Sequence, residues 1–328
     1  MSSSTSSSET PLRRRALVMV LVGIVALNIV LEIFTRTMLF PHSADFQRFA
    51  DYPARARALC ALPGFRLAFV GNSATQKGID PKAMNDILNQ GPTGPAACEF
   101  LLADGSMINT WHFITKRCFW TPGRKPDLIV INYFDHCLRD GNSLELGRLA
   151  LFFTTPDDIA ELRALELKET SALLEFQLSR TWRTYAARDR IKKRVLNVAL
   201  PHYKELAEEL NREQSRPNDA ASTTPPSPTF AALTRYLDAA KAHQTPVVFV
   251  AFPTFRSNEA IQYALDSEAE SLVRDAGMGW VDLRFVPELR HEHYYDDLHL
   301  TPAGAAIYTR RLADAIEPYL AKAGKKAS

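Results

Sequence analysis

The sequence predicts an α/β protein, a parallel sheet between layers of helices, carried on one N-terminal helix long enough to cross a membrane. Three observations predict it. Five short apolar runs, "RLAFV", "CEFLLA", "DLIVIN", "PVVFVAF" and "GWVDLRF", recur from Arg66 onward. Each is rich in branched or aromatic residues, as strands buried on both faces require. Helical stretches such as "DPKAMNDIL" and "NEAIQYALDSEAESLVRDAG" lie between them, and this alternation implies parallel pairing with helices on both sides. The third observation is "ALVMVLVGIVALNIVLEIF" near the N-terminus, about the length needed to span a hydrocarbon core.

Taken in order, residues 1–12 begin with the polar "MSSSTSSSET", too poor in apolar groups to fold, and are expected to be a disordered cytoplasmic tail. Residues 13–35 are the expected anchor. Arg13, Arg14 and Arg15 precede its apolar run, so the positive-inside rule places the tail in the cytoplasm and the remaining chain outside. A cleaved signal would have a shorter apolar region and small residues after it; the bulky "EIFTRTMLFPH" follows instead. Asn28 and Glu32 are polar within or beside the span. Glu32 is expected at the outer interface, with a contact to another membrane protein as the sharper alternative.

Residues 36–64, including "ADFQRFADYPARARALCAL", read as a stalk and a short helix, and residues 65–328 as the folded domain. The strand–helix rhythm breaks between the third and fourth strands. Residues from about 141 to 229 read as an insertion of charged helical segments closing on the proline-rich "QSRPNDAASTTPPSPT". With 328 residues, 46% of them hydrophobic, the chain can bury a full core, and a net charge of +2 gives no argument for nucleic acid. Cys60, Cys98, Cys118 and Cys137 match no metal spacing; they allow three full disulfide pairings, or remain buried thiols.

Chemistry enters at two places. "LAFVGNSATQKGID" puts Ser73 directly after the first strand, at the sheet edge where ligands of parallel α/β folds bind. Gly-Asn-Ser is also ordinary turn chemistry. Near the other end, "YYDDLHLTPAGAAIYTRRL" offers Thr301 as N-cap and Pro302 as first helical residue. Asp296, Asp297 and His299 are thereby left on the loop before the helix. A serine hydroxyl needs a base within hydrogen-bond reach, and the base needs a third group to orient it. An Asp-x-x-His loop supplies both.

The pair "GNSATQKG" and "DDLHLTPAG" resembles the SGNH/GDSL hydrolase superfamily. The resemblance covers the sheet elements from about residue 66 to the C-terminus and implies a three-layer, flavodoxin-like domain. It implies Ser73, His299 and Asp296 as a catalytic triad, Asp297 falling outside the spacing, and no metal or cofactor. Gly105 in "LLADGSM" stands where the family has an oxyanion-hole glycine, to be joined by the N–H of Ser73. The family's third block, Gly-x-Asn-Asp, is absent. In its place is "INYFDHCL", so Asn132, His136 or backbone N–H groups alone would complete the hole.

The single anchor and the serine motif running into "GIDP" look like the envelope branch of the superfamily. Its members resemble partners of membrane-bound O-acyltransferases, acting in acetylation of exported polysaccharides or D-alanylation of teichoic acids. That resemblance implies serine-dependent acyl transfer or deacylation on an envelope glycan. It also implies a single-pass protein of a bacterial cytoplasmic membrane, with its domain in the periplasm or cell exterior. The contrasting expectation is a catalytically silent anchored scaffold that binds glycan or a membrane acyltransferase. "HEHYYDDLH" could suggest a metal site, but His299 is better used in the triad. The basic "RTWRTYAARDRIKKR" could meet anionic glycan or lipid headgroups, or be a solvated helix face. Trp111, Trp120 and Tyr133 could stack on sugars, though core burial is the default for aromatics near a sheet end.

Overall fold

The computed structural model describes residues 10–91, 94–140, 145–203, 206, 228–256, 259–261 and 263–327. Residues 1–9 of the expected tail and 214–227 of the expected proline-rich loop lie outside the described residues. Helix α1 (Thr10–Phe34) holds the apolar run and is long and apolar enough to cross a membrane. It passes through a wide turn, Thr35–Leu39, to Ser43, where extended backbone breaks the helical path.

Helix α2 (Ala44–Ala61) follows, in the segment read as a stalk and short helix. Its residues Phe46, Phe49, Tyr52, Ala56 and Leu59 are buried in the main core, and the Tyr52 hydroxyl donates to the Leu102 carbonyl. This segment is therefore a layer of the domain.

The sheet strands are β1 (Phe65–Gly71), β2 (Ala96–Leu102), β3 (Leu128–Tyr133), β4 (Val247–Ala251) and β5 (Gly279–Asp282). All pair in parallel, in the order β2-β1-β3-β4-β5, the doubly wound order of flavodoxin-like sheets. The fold is thus α/β with helices on both faces. On one face lie α2 and α5 (Ile108–Thr115), with α9 (Ala231–Ala242) and α10 (Ser267–Asp275). On the other lie α3 (Ser73–Gly78), α4 (Pro81–Gln90) and α11 (Pro302–Ala327).

The stretch "NEAIQYALDSEAESLVRDAG", expected to be helical throughout, divides. Its first part, Glu259–Ile261, pairs antiparallel with Thr254–Arg256, and the helix begins only at Ser267, after Asp266 in extended backbone.

The described part of the insertion is helical: α6 (Ile159–Leu165), α7 (Thr170–Thr181), a single turn at Arg183–Ala186, and α8 (Arg188–Ala199). It is tied to the domain through a half-buried charge cluster. Lys116 Nζ lies 2.6 Å from both Asp158 Oδ1 and Glu161 Oε2. Arg235 donates to both carboxylate oxygens of Glu166.

Candidate active site

Strand β1 is buried along its length and delivers the chain to the carboxyl edge of the sheet. Asn72, in extended backbone, then opens α3. Its Oδ1 accepts the Ala74 N–H at 3.1 Å and its carbonyl accepts the Gln76 N–H at 3.0 Å, as an N-cap should. Ser73 is therefore the first helical residue, and its N–H has no intrahelical acceptor.

The Asn72 amide also donates to the Ser106 carbonyl at 3.3 Å and to Cys137 Sγ at 3.7 Å. Ser106 Oγ in turn donates to the Gly71 carbonyl at 3.2 Å and accepts from Trp111 Nε1 at 2.8 Å. The loops after β1, β2 and β3 are stapled together around the serine turn.

His299 arrives from the far end of the chain. Thr301 Oγ1 accepts the Gly304 N–H and its carbonyl accepts the Ala305 N–H, with Pro302 opening α11. The preceding loop is pinned by Tyr295 N–H to the His299 carbonyl and Thr301 N–H to the His293 carbonyl. His299 Nε2 then lies 2.9 Å from Ser73 Oγ. Nδ1 lies 2.8 Å from Asp296 Oδ2 and 3.0 Å from Oδ1.

A carboxylate can only accept, so Nδ1 carries the imidazole proton and Nε2 turns a lone pair to the serine. Asp296 Oδ1 further accepts the N–H groups of Leu298 (2.9 Å) and His299 (2.7 Å). Partial burial alone would raise the Asp296 carboxyl; these hydrogen bonds outweigh it and hold the group below its ordinary value. Asp297 points elsewhere, its carboxylate 3.8 Å from Arg256.

Gly105 sits in the loop that Ser106 staples to Gly71, with φ +65, a left-handed conformation that favours glycine. Asn132 lies near the end of β3 on the face it shares with Leu128 and Val130, the face that α3 and α11 cover. It is buried, and neither end of its amide has a hydrogen-bond partner among the described residues. His136 is half-exposed on the turn after β3, 3.1 Å from Asp135, whose φ of 40 is a strained value for a residue with a side chain.

Trp111, Trp120 and Tyr133 are all core residues. The four cysteines are free thiols. Burial pushes Cys98, Cys118 and Cys137 up to about 12 and raises Cys60, so at neutral pH none is a thiolate competing with Ser73. Of three residues that organise the site, Asn72 lies within "GNSATQKG", while Ser106 and Cys137 carry no signal of their own. Only Asn72, a favoured N-cap residue before a short helix, was readable in principle.

No family model and no curated protein matches the chain. Among solved structures it is similar to an acetyl xylan esterase at 13% identity and a TM-score of 0.37, over 77% of this chain and 98% of that one. It is similar to an α/β hydrolase from the metagenome of Lake Arreo, Spain, at 11% identity and a TM-score of 0.39, over 80% and 99% of the two chains. A protein from Lactobacillus plantarum is similar at 12% identity and a TM-score of 0.35, over 79% and 99%. Likeness of this order says nothing of substrate or mechanism in this chain.

Proposed function

We propose that the protein is a membrane-anchored serine acyl-ester enzyme, a transferase or esterase of SGNH type acting on an O-acylated envelope or exported glycan. The observation that carries the reading is the unbroken hydrogen-bonded chain Ser73 Oγ–His299–Asp296, drawn from segments 226 residues apart. In the proposed cycle His299 Nε2 takes the Ser73 proton as Oγ attacks the acyl carbonyl carbon, while Asp296 stabilises the imidazolium. The tetrahedral intermediate places its oxyanion at the Ser73 and Gly105 N–H groups, with the Asn132 amide as a third donor. Collapse breaks the bond to the leaving alkoxide, which takes the proton from His299 and leaves an ester on Ser73. A sugar hydroxyl or water, deprotonated by His299, then attacks that ester and restores the serine.

That the Asn132 amide has no partner among the described residues supports its inclusion, since a buried donor left empty costs stability and is retained where a transient acceptor uses it. The arginines at the start of α1, ahead of its apolar run, support an N-terminus inside a bacterial cytoplasmic membrane and a domain in the periplasm or exterior, where a membrane-bound O-acyltransferase could act as partner.

The test is intact-mass spectrometry of the full chain in detergent after treatment with a fluorophosphonate, beside Ser73→Ala. One adduct per chain, absent from the variant, is the expected result. A folded wild-type protein that gains no adduct refutes the activated serine and returns the scaffold reading.

A further inference from the structure

We infer that the segment from Trp182 to Leu200 lies on the anionic surface of the same bilayer that α1 crosses, so that lipid holds the domain at two places. The inference rests on α1 spanning a membrane and is independent of the serine chemistry.

The first observation is how the insertion meets the anchor. The Glu32 carboxylate, in the last turn of α1, accepts the N–H groups of Arg183 (3.1 Å) and Thr184 (2.8 Å). Thr184 Oγ1 is 2.9 Å from Thr35 Oγ1, and Arg36 reaches both Glu32 and the Thr181 carbonyl. Glu32 thus caps a turn of the insertion within its own chain. From Ala16 to Thr35 an α-helix rises about 30 Å, the thickness of a hydrocarbon core. With Ala16 at one boundary, Glu32, Thr35 and the residues bound to them stand at the other.

The composition at that level is interfacial. Trp182 and Tyr185 are half-exposed and stacked, with centroids 6.4 Å apart, and the Arg183 guanidinium lies 4.9 Å over Phe40. Aromatic rings with arginines are what the headgroup layer selects. Helix α8 starts beside the same place, because Arg190 binds Ser43 and Asp45 and lies over Phe46 just past the break at Ser43.

Charge and apolar exposure select lipid as the occupant. Between residues 180 and 194 the chain carries Arg180, Arg183, Arg188, Arg190 and the run Lys192–Arg194 against Asp189; Arg188 and Arg190 are paired with Glu175 and Asp45, so the exposed run Lys192–Arg194 carries most of the charge offered to lipid. On α8, Val195 and Val198 are 57% and 89% exposed, and Leu200 just beyond is 46% exposed. Among the described residues after Phe40, eight large apolar side chains are exposed, and five of them (Leu174, Val195, Val198, Leu200 and Leu206) belong to the insertion. A basic helix with an apolar stripe, tethered at a membrane exit, matches surface-lying helices in anionic lipid.

The test uses the full chain in nanodiscs with and without brominated acyl chains, comparing wild type with Val198→Trp. The added tryptophan should lose emission in brominated phosphatidylglycerol discs beyond any loss in wild type. The extra loss should shrink in phosphatidylcholine discs and in a background with Lys192, Lys193 and Arg194 all changed to Glu. In the unmodified protein, trypsin should cut after these three residues more slowly in phosphatidylglycerol than in phosphatidylcholine discs. An added tryptophan untouched by bromine would show α8 standing off the bilayer and overturn the inference. Quenching and cleavage indifferent to headgroup charge would overturn its anionic part.

Discussion

Replacing Asp296 by asparagine tests the proposed mechanism most sharply, because the geometry dictates how it should fail. Asp296 Oδ1 is held by two backbone N–H groups, so the asparagine oxygen keeps that position. Its NH₂ group then occupies the place of Oδ2, 2.8 Å from His299 Nδ1. Two donors would face each other there, leaving Nδ1–H only the longer 3.0 Å approach to an oxygen already shared with two backbone N–H groups. Either the contact is lost, or His299 takes the tautomer with its proton on Nε2, the nitrogen 2.9 Å from Ser73 Oγ. In that tautomer it cannot accept the serine proton. The equivalent tautomer error in serine proteases lowers turnover about ten-thousandfold, or about 5.5 kcal/mol of barrier. The assay is the second-order rate of fluorophosphonate adduct formation by intact mass, on full-length protein of matched thermal midpoint. Asp297→Asn is the control, since Asp297 faces Arg256 and should react at the wild-type rate. An Asp296→Asn protein reacting within about tenfold of wild type would refute the role of His299 as an oriented base.

Three further outcomes are expected. Asn132→Leu should slow hydrolysis of an activated aryl ester about a hundred- to a thousandfold while its denaturation midpoint holds or rises, because the amide has no partner among the described residues to lose; a loss of stability with no loss of rate would make Asn132 structural. Gly78→Ala should cost about 1–3 kcal/mol in chemical denaturation, since the new Cβ would stand 2.4 Å from Cε2 of the buried Phe252 ring; an unchanged midpoint would show that the ring moves freely. Acid should weaken the insertion's attachment. Burial would raise Glu161, but His112 and Lys116 bind it and bring it down to about 2, so its contribution is complete above the ordinary carboxylate value and is lost as pH falls toward about 2. Burial lowers His112, so the unfolded chain takes that proton first and the sign is the same. Thermal midpoints should fall with pH through this window, and Glu161→Gln should flatten the lower part; superimposable curves would contradict the assignment.

The sheet was legible because its physics is local. Strands buried on both faces need continuous apolar runs, and "RLAFV" and "DLIVIN" have no other reading in an alternating chain. The ends of the site were legible for a related reason: a small polar triplet after β1 and an Asp-x-x-His before a capped helix each fit within a few residues. The contacts that hold the site were not. Asn72 finds the Ser106 carbonyl and Cys137 only because β1 stands between β2 and β3. Helix α2 was readable from its own pattern, since Phe46, Phe49, Tyr52, Ala56 and Leu59 recur at helical spacing. Arginines interleaved with them, and the long apolar helix just before, concealed that this face is core. Glu32, expected at the outer interface with a contact to another membrane protein as the sharper alternative, instead accepts backbone N–H groups of the insertion, a partner 151 residues away that no local pattern announces.

The least local step is the meeting of His299 with Ser73. Strand β5 is at the sheet edge, with β4 and β3 between it and β1, so the chain must return across the strand ends before the histidine can serve. The return is driven by packing rather than by the site. Val286, Leu289, Tyr294 and Leu300 join the core on the α11 face, as do Tyr308, Leu312 and Ile316 of α11 itself. The Asp80 N–H, at the start of α4, donates to Thr309 Oγ1 at 2.9 Å. That bond joins the segment just after the serine helix to the helix just after the histidine. The hydroxyl and the imidazole are therefore held by two elements already docked on each other, and their 2.9 Å separation follows from apolar burial that would form without them. Such a scaffold preorganises the pair before any substrate arrives, which is what the proposed acyl transfer requires of its fold.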